Sequence, residues 1–562
     1  MRWTLKPKPN LEKIKSLQKS LKVDELTATL LVQRGVETFE QARLFFRPSL
    51  GDLHDPYLMK DMDLAVSRIE KAIENQERIL IFGDYDVDGT TAVSLVSSYL
   101  RSFYPHVDTY IPDRYNEGYG ISFLGIDYAE DNGISLIIAL DCGIKSINHI
   151  AYAKEKNIDF IICDHHRPGE NLPEAVAILN PKREDCQYPY DELCGCGIGF
   201  KLVQALGKNR GQNTEDLILY LDLVATAIAA DIVPITGENR ILAKFGLEVI
   251  NSNPRPGFKA LVQNLKKKQL TITDVVFVIA PRINAAGRIK HGNYAVQLLT
   301  EFGLEEAENF AKEIETFNAD RKELDQQITA EALSQIIENH EENKFSTVVY
   351  QENWHKGVIG IVASRLIETY YRPTLVFTKS GDKLAASARS VKDFDVYNAL
   401  ESCAEFLEQF GGHMYAAGLT LHENQFENFK NQFEKVVSET LPEDLRVPEI
   451  LIDAEINFKE ITPKFMRILK QFEPFGPRNM TPIFYAKNIH DTGFGKTIGK
   501  ENEHLKLFVK QNDSEGFGAI GFKIGNKFSL TQNRQPFEAV FSVEENEYND
   551  KVYLQLQLRD IR

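Results

Sequence analysis

Arg78-Ile79-Leu80-Ile81-Phe82-Gly83-Asp84-Tyr85-Asp86-Val87-Asp88-Gly89 decides the fold of this chain. The first five residues are an apolar run of strand length. The run stops at Gly83 on three alternate aspartates, and an apolar-periodic helix is expected from about Thr90 to Phe103. The same grammar recurs downstream. Val107–Ile111 reads as a second strand. Leu136–Leu140 is a third, ending on Asp141-Cys142-Gly143, and Phe160–Cys163 a fourth, ending on Asp164-His165-His166. Continuous apolar strands alternating with helices predict a parallel α/β sheet covered on both faces. The acids and histidines all fall at the C-terminal ends of strands, the edge where open α/β sheets bind ligands.

Working outward, about the first fifty residues read as a helical lead-in. The stretch from about Glu305 to Glu342 is charged, helix-favouring and free of Gly and Pro, as in a long connecting helix. A second α/β segment follows, with Thr347–Tyr350 and Thr374–Phe377 as strands. The tail carries short strand candidates (Leu505–Val509, Tyr553–Leu556) between Gly-rich turns, as in a small β-barrel. The expected segments are a lead-in over 1–54, a first α/β domain over 55–260, a connecting helical region over 261–344, a second α/β domain over 345–445 and a barrel over 446–562.

The chain has 562 residues, 43% hydrophobic and 26% charged, with a net charge of −16. That is the composition of a globular protein of several domains. The acidity argues against coating nucleic acid by bulk positive charge, and it is compatible with an enzyme whose site is itself built from acids. No apolar run reaches the ~20 residues of a bilayer span, and Met1–Lys6 lacks a signal-peptide core. These features imply a cytoplasmic protein without a membrane partner. Cys186, Cys194 and Cys196 raise a zinc knuckle, but no CxxC pair accompanies them and no fourth ligand is evident, so reduced thiols are the reading.

Asp84-x-Asp86-x-Asp88-Gly89 matches the start of an EF-hand loop, but Leu95 stands where the loop needs its bidentate acid, and the motif follows a strand. Three crowded carboxylates repel one another unless cations neutralise them, and hard oxygen ligands suit Mg²⁺ or Mn²⁺. Imidazole from Asp164-His165-His166 favours Mn²⁺. Adjacent side chains on extended backbone point apart, so one His is expected to ligate metal while the other faces substrate. Gly195-x-Gly197-x-Gly199 has the wrong spacing for a dinucleotide site and reads as a tight helix entry. In the second half, Ser387-x-Arg389-Ser390 and Gly411-Gly412-His413 followed by Ala416-Ala417-Gly418 would let backbone amides approach phosphates. Taken alone, packing glycines explain them equally well.

In order along the chain, these motifs resemble the DHH/DHHA1 phosphoesterase family. Within it they are similar to the single-strand-specific 5′-to-3′ DNA exonucleases. Ala230-Asp231-Ile232-Val233-Pro234, Pro281 to Arg288, Trp354 to Gly360 and Glu473-Pro474-Phe475-Gly476 extend the likeness over nearly the whole chain. The resemblance implies a DHH domain, a DHHA1 domain and an OB-like barrel that binds single strands. It implies two divalent cations, Mn²⁺ or Mg²⁺. Asp86 and Asp141, with Asp84 nearby, would hold one; Asp88, Asp141, His165 and Asp231 would hold the other, so that Asp141 bridges. Many members carry a His two residues before the first Asp, where this chain has Phe82. His166 and Arg282 would stabilise charge on the phosphate, joining Asp141 and His165 as catalytic residues. Arg114, Asn284, Ser387, Arg389, Gly411, Gly412 and His413 would bind substrate, with Arg114, Ser387 and Arg389 gripping a 5′-terminal phosphate. A passage too narrow for duplex would select single strands. A helicase and a single-strand-binding protein are the expected protein partners in DNA repair and recombination. The rival readings are a DHH enzyme of short oligonucleotides, cyclic dinucleotides or pyrophosphate, and a non-catalytic nucleic-acid scaffold.

Overall fold

The structure, a computed structural model, describes residues 1–265, 267–548 and 551–562. The chain forms two compact units. One comprises residues 3–280, 299–307 and 450–562; the other comprises 1–2, 281–298 and 308–449.

The first sheet lies in the larger unit. Its strands are β1 (Arg78–Gly83), β2 (Val107–Tyr110), β3 (Ile134–Leu140), β4 (Asp159–Cys163) and β5 (Ala177–Leu179). All pairings are parallel and the order is β2-β1-β3-β4-β5. Ile79 to Phe82 and Leu136 to Leu140 are fully or almost fully buried, as expected of strands covered by helices on both faces. The strand order reverses direction between β1 and β3. That switch point opens a crevice at the carboxyl ends of the two strands, and Asp84, Asp86, Asp88 and Asp141 follow those ends. The helix after β1 starts at Val87, three residues earlier than the sequence indicates, because the Asp86 carboxylate caps it by accepting from the Gly89 amide at 3.1 Å.

The smaller unit holds β6 (Thr347–Tyr350), β7 (Thr374–Ser380), β8 (Lys383–Arg389), β9 (Gln409–His413) and β10 (Ala416–Leu421), in the order β9-β10-β8-β7-β6. The long helix spans Leu304–Glu338. It is more than a connector, because Ile328, Ala332 and Ile336 are core residues packed with Val349, Trp354 and Val376 of this domain. The Trp354 indole donates to Glu331 at 2.7 Å.

The last sheet returns to the larger unit. β11 (Phe484–Asp491), β12 (Lys496–Ile498), β13 (His504–Gln511), β14 (Phe517–Gly521), β15 (Phe537–Tyr548) and β16 (Lys551–Ile561) include a closed ring, β11-β15-β16-β14-β13-β11. β14 and β16 pair in parallel and the other ring pairings are antiparallel. This is the five-stranded OB barrel. The lead-in differs from the expectation of a separate segment. Ile14, Leu17, Leu30, Leu31 and Phe45 share one apolar core with Phe465, Leu469 and Phe472 and with the barrel interior. Short amphipathic helices cannot bury an apolar face alone, and this end of the barrel supplies the missing partner. Among the described residues no helix is long and apolar enough to cross a membrane.

Candidate metal centre

The turn after β1 is made possible by two glycines. A Cβ on Gly89 would lie 2.4 Å from the Asp84 carbonyl oxygen, and one on Gly83 would lie 2.4 Å from Val93. With hydrogen there instead, the helix presses onto the strand end and carries Asp86 and Asp88 into the crevice. Asp88 is buried, and its two carboxylate oxygens accept from the Gly195 and Cys196 amides at 2.7 Å each. Those amides open the Gly195–Asn209 helix, so a helix N-terminus fixes the carboxylate. The glycine-rich segment is therefore a helix entry, as its spacing indicates, and also the support of a site residue that no local pattern links to it. Cys194 caps the same helix through its sulfur, which accepts from the Gly197 amide. No cysteine belongs to a metal-compatible cluster among the described residues.

Asp141 follows β3 with φ at 60°, its amide donating to the Cys163 carbonyl at 2.9 Å. Its Oδ1 lies 3.2 Å from His165 Nε2. The same imidazole nitrogen is 3.6 Å from Asp231 Oδ2 and 3.9 Å from Asp88 Oδ2. Asp231 reaches the crevice from the end of the Leu221–Ala230 helix. Two sets of donor atoms fall within metal-chelating reach of one another: Asp88, His165 and Asp231, and Asp141, His165 and His166. Asp84 and Asp86 fall in neither set. Asp84 is fully buried; its Oδ1 accepts from the Gly120 amide at 3.3 Å and its Oδ2 has no hydrogen-bond partner.

Electrostatics identify what the cluster suits. Burial first, then the charge of Asp86, pushes the Asp88 carboxyl up to about 7 and that of Asp84 well above its ordinary range. Asp231 rises to about 9 through burial, Asp88 and Asp86. Asp141 is raised by burial and by its four aspartate neighbours. Burial holds the His165 imidazole neutral, with its pKa down to about 3. His165 Nε2 and Asp141 Oδ1, facing each other, have no hydrogen-bond partner. Buried acceptors without donors, crowded carboxylates and a neutral imidazole fit divalent cations of the Mn²⁺ or Mg²⁺ type.

His166 stands at the rim of this cluster, within reach of Asp141 and His165, and also engages two other neighbours. Its Nδ1 lies 2.7 Å from Asp164 Oδ1, and its Nε2 is 3.3 Å from the Tyr119 hydroxyl. Burial pulls its pKa down, but Asp164 and then Asp88 and Asp86 outweigh this and raise it. Asp164 is itself held by the Ile144 amide at 2.9 Å. The ring is 44% exposed, as suits contact with substrate. Alongside it, Tyr119 packs edge-on to Tyr85, and the Arg114 guanidinium stacks 3.8 Å above the Tyr85 ring. Asp164 and Tyr119 belong to motifs visible in the sequence, Asp164-His165-His166 and Arg114 to Gly120, but their roles emerge only from these distances.

The remaining expected residues lie in the smaller unit. Arg389 is half-buried on β8 and donates to Ser387 Oγ at 3.0 Å. Gly360 approaches this pair so closely that a Cβ there would meet Ser387 Oγ at 2.8 Å and Arg389 Nη2 at 3.0 Å. Arg282 donates to Glu315 at 2.6 and 3.3 Å. Asn284 leaves its side-chain oxygen buried without a partner. Gly411, Gly412 and His413 lie exposed on the edge strand β9. A Cβ on Gly412 would come 2.4 Å from the Ala416 carbonyl, so the hairpin itself requires that glycine.

Comparison with known proteins agrees with the geometry. Residues 78–228 match the DHH family N-terminal domain, 342–439 the DHHA1 domain, and 452–560 the RecJ OB domain. The single-stranded-DNA-specific exonuclease RecJ of Bacillus subtilis is 37% identical, covering 100% of this chain and 70% of its own length. RecJ of Escherichia coli is 35% identical over 90% of both chains. The crystal structure of RecJ from Thermus thermophilus in complex with Mn²⁺ superposes with a TM-score of 0.85, covering 100% of this chain and 79% of that one at 26% identity. A manganese-bound exonuclease RecJ gives a TM-score of 0.62 over 71% of this chain and 99% of that one, at 30% identity. Identity above one third across nearly complete chains, with all three domains matched in order, means that the chain belongs to the RecJ family.

Proposed function

We propose that this chain removes nucleotides from the 5′ end of single-stranded DNA by metal-dependent phosphodiester hydrolysis, in DNA repair and recombination. The observation that carries the reading is the buried acid–imidazole cluster with its unpartnered acceptors, beside the exposed His166 and Tyr119 and the half-buried Tyr85 and Arg114. Asp86, Asp88, Asp141, His165 and Asp231, with Asp84 behind them, would hold two divalent cations. Bound there, such cations make water a nucleophile near neutral pH and polarise a phosphoryl oxygen.

The chain's own groups supply the positioning. The Gly195 and Cys196 amides fix Asp88, and burial keeps the His165 lone pair free of a proton. Asp164 holds His166 at Nδ1, so a protonated ring presents its Nε2–H toward the phosphate. Tyr85 and Tyr119 offer faces for unstacked bases, and Arg114 adds charge above one of them. On the barrel, His504, Lys506, Phe508 and Lys510 alternate outward along β13, with Phe522 edge-on to His504 at 5.2 Å. Basic and aromatic side chains in alternation suit a single strand. In the smaller unit, the half-buried Arg389 beside Ser387 and Gly360 is suited to a terminal 5′-phosphate. We infer a cytoplasmic enzyme working with a helicase and a single-strand-binding protein, which open and cover such strands.

Digestion of 5′- and 3′-labelled oligonucleotides with Mn²⁺ tests the reading. Mononucleotide release should begin at the 5′ end of single strands. Release from the 3′ end, or equal attack on duplex, refutes it.

A further inference from the structure

The long Leu304–Glu338 helix buries one stripe, and that stripe changes chemistry midway. Ile314 and Phe317 at one end and Ile328, Ala332 and Ile336 at the other are apolar and buried. Between them, at helical spacing, lie Asn318, Arg321 and Asp325, which are 0%, 9% and 1% exposed. Polar groups at such positions cost free energy unless each finds a partner. Asp325 has one, since both its oxygens accept from Arg365 Nε at 2.8 and 2.7 Å. Arg321 donates through Nη2 to Asn318 Oδ1 at 2.9 Å. That bond consumes the amide oxygen of Asn318 and leaves its Nδ2 as a donor. Arg321 Nε and Asn318 Nδ2 are both buried without an acceptor. Among the described residues no carboxylate stands within ion-pair distance of Arg321. Burial pulls its pKa down, and although Asp325 opposes this, the nearby charges of Arg365 and Arg282 lower it further.

We propose that Asn318 and Arg321 form an anion site that takes a phosphate group. Both unpartnered atoms are donors, so the ligand must be an acceptor. Arg282 and Arg365 are paired with Glu315 and Asp325, so the guanidinium of Arg321, which has no ion pair among the described residues, is the charge that favours a negative one. A fork of guanidinium and amide donors matches the oxygens of a tetrahedral phosphate. We assign the phosphate to the backbone of the bound strand. That assignment rests on the exonuclease reading, whereas the anion site itself does not.

The test compares wild type with Arg321→Met, Arg321→Lys and Asn318→Ala. Single-strand affinity is measured by fluorescence anisotropy against salt concentration, with Ca²⁺ in place of Mn²⁺ to prevent cutting. Melting with and without inorganic phosphate is the second arm. Loss of one strand phosphate contact should weaken binding by about ten-fold or more and reduce the slope of log K against log salt by about 0.7. Arg321→Lys, which keeps the charge and protects against a Met variant that fails to fold, should lose affinity with the slope retained. Because the guanidinium has no anion in the free fold, Arg321→Met should melt no lower than wild type. An unchanged slope together with loss of a phosphate-dependent rise in melting temperature would assign the site to free phosphate. If the variants match wild type in both slope and phosphate response, the site is refuted. Wild type that neither binds nor cuts single strands would instead refute the exonuclease reading.

Discussion

Replacing Gly195 with alanine should damage the candidate metal centre without replacing any of its candidate ligands. A Cβ at this position would lie 2.6 Å from Asp141 Cβ, 2.8 Å from its Cα and 2.8 Å from its Oδ1. Carbon atoms in contact settle at about 3.5–4.0 Å, so the helix entry and the Asp141 turn must separate by roughly 1 Å. Overpacking of this kind costs about 1–3 kcal/mol. The functional loss should be larger. The Gly195 and Cys196 amides that move are the two donors holding Asp88 at 2.7 Å, and a shift of about 1 Å takes such bonds beyond useful length. Misplacement on that scale lowers turnover by about 10²-fold. The matched control is Gly197→Ala in the same helical turn, where the nearest atom is 3.4 Å away. It should fold as well as wild type or slightly better, since alanine is favoured over glycine within helices. Turnover on 5′-labelled single-stranded DNA and Mn²⁺ affinity by calorimetry are the assays. If Gly195→Ala matches Gly197→Ala in both, the claim that this helix end sets the position of Asp88 and Asp141 is wrong.

Three other outcomes follow from the same geometry. Asp88 and Asp231 titrate near 7 and 9 when metal-free, above their unfolded values. Between about pH 4 and pH 7 the folded chain holds protons that the unfolded chain has released, so the apo protein should lose stability as pH rises, with a ceiling of roughly 4 kcal/mol from Asp88; the melting-temperature gain on adding Mn²⁺ should therefore grow with pH, and a gain independent of pH contradicts this. Asp164→Asn removes the charge that keeps the His166 pKa raised, so the alkaline limb of the rate–pH profile should move to lower pH while Mn²⁺ affinity persists; an unshifted limb would remove His166 as a charged phosphate contact. Arg389→Ala should abolish the preference for a 5′-phosphorylated over a 5′-hydroxyl end, measured as the ratio of kcat/KM, and an unchanged ratio would place that pocket elsewhere.

Much of the candidate site is legible in the sequence because strand end and candidate ligand are adjacent in it. An apolar run of strand length ending on Asp84, Asp141 or His165 fixes which side chains reach the carboxyl edge of the sheet, and the resemblance orders them. What escaped depends on long-range contact. Asp88 and Gly195 are 107 residues apart, and a helix-entry glycine looks the same whether or not a carboxylate waits at its end. The lead-in was recognisable as helical, but amphipathicity names an apolar face and never its partner, which proves to be the far C-terminal barrel. The long helix shows the same limit in a different way. Its charges indicate a long connecting helix and not which of its faces is buried, because Asn318, Arg321 and Asp325 interrupt the apolar stripe. A buried arginine and an exposed one are spelled alike.

The centre is held against forces that would disperse it. Asp141 sits at φ 60° and Ile232, next to Asp231, at φ 60° with its branched side chain 67% exposed. A left-handed conformation is unfavourable for both and most of all for a β-branched residue. Neither turn persists on local preference. The Asp141 turn is tied to β4 through Cys163, and Gly195 closes over it. The Asp231 turn is tied further along: the Ile235 amide donates to the Pro477 carbonyl at 2.9 Å, and the buried Arg240 guanidinium donates to the carbonyls of Phe45, Gln471, Phe472 and Glu473. The segment that leads into the barrel thus braces the loop that carries the candidate ligand Asp231. On the proposed reading the C-terminal region would have two tasks, with the barrel offering a surface to the strand and the segment before it holding Asp231 where the sheet alone would not keep it. Removing the barrel should therefore impair metal binding as well as strand binding, which a barrel acting only as a DNA tether would not do.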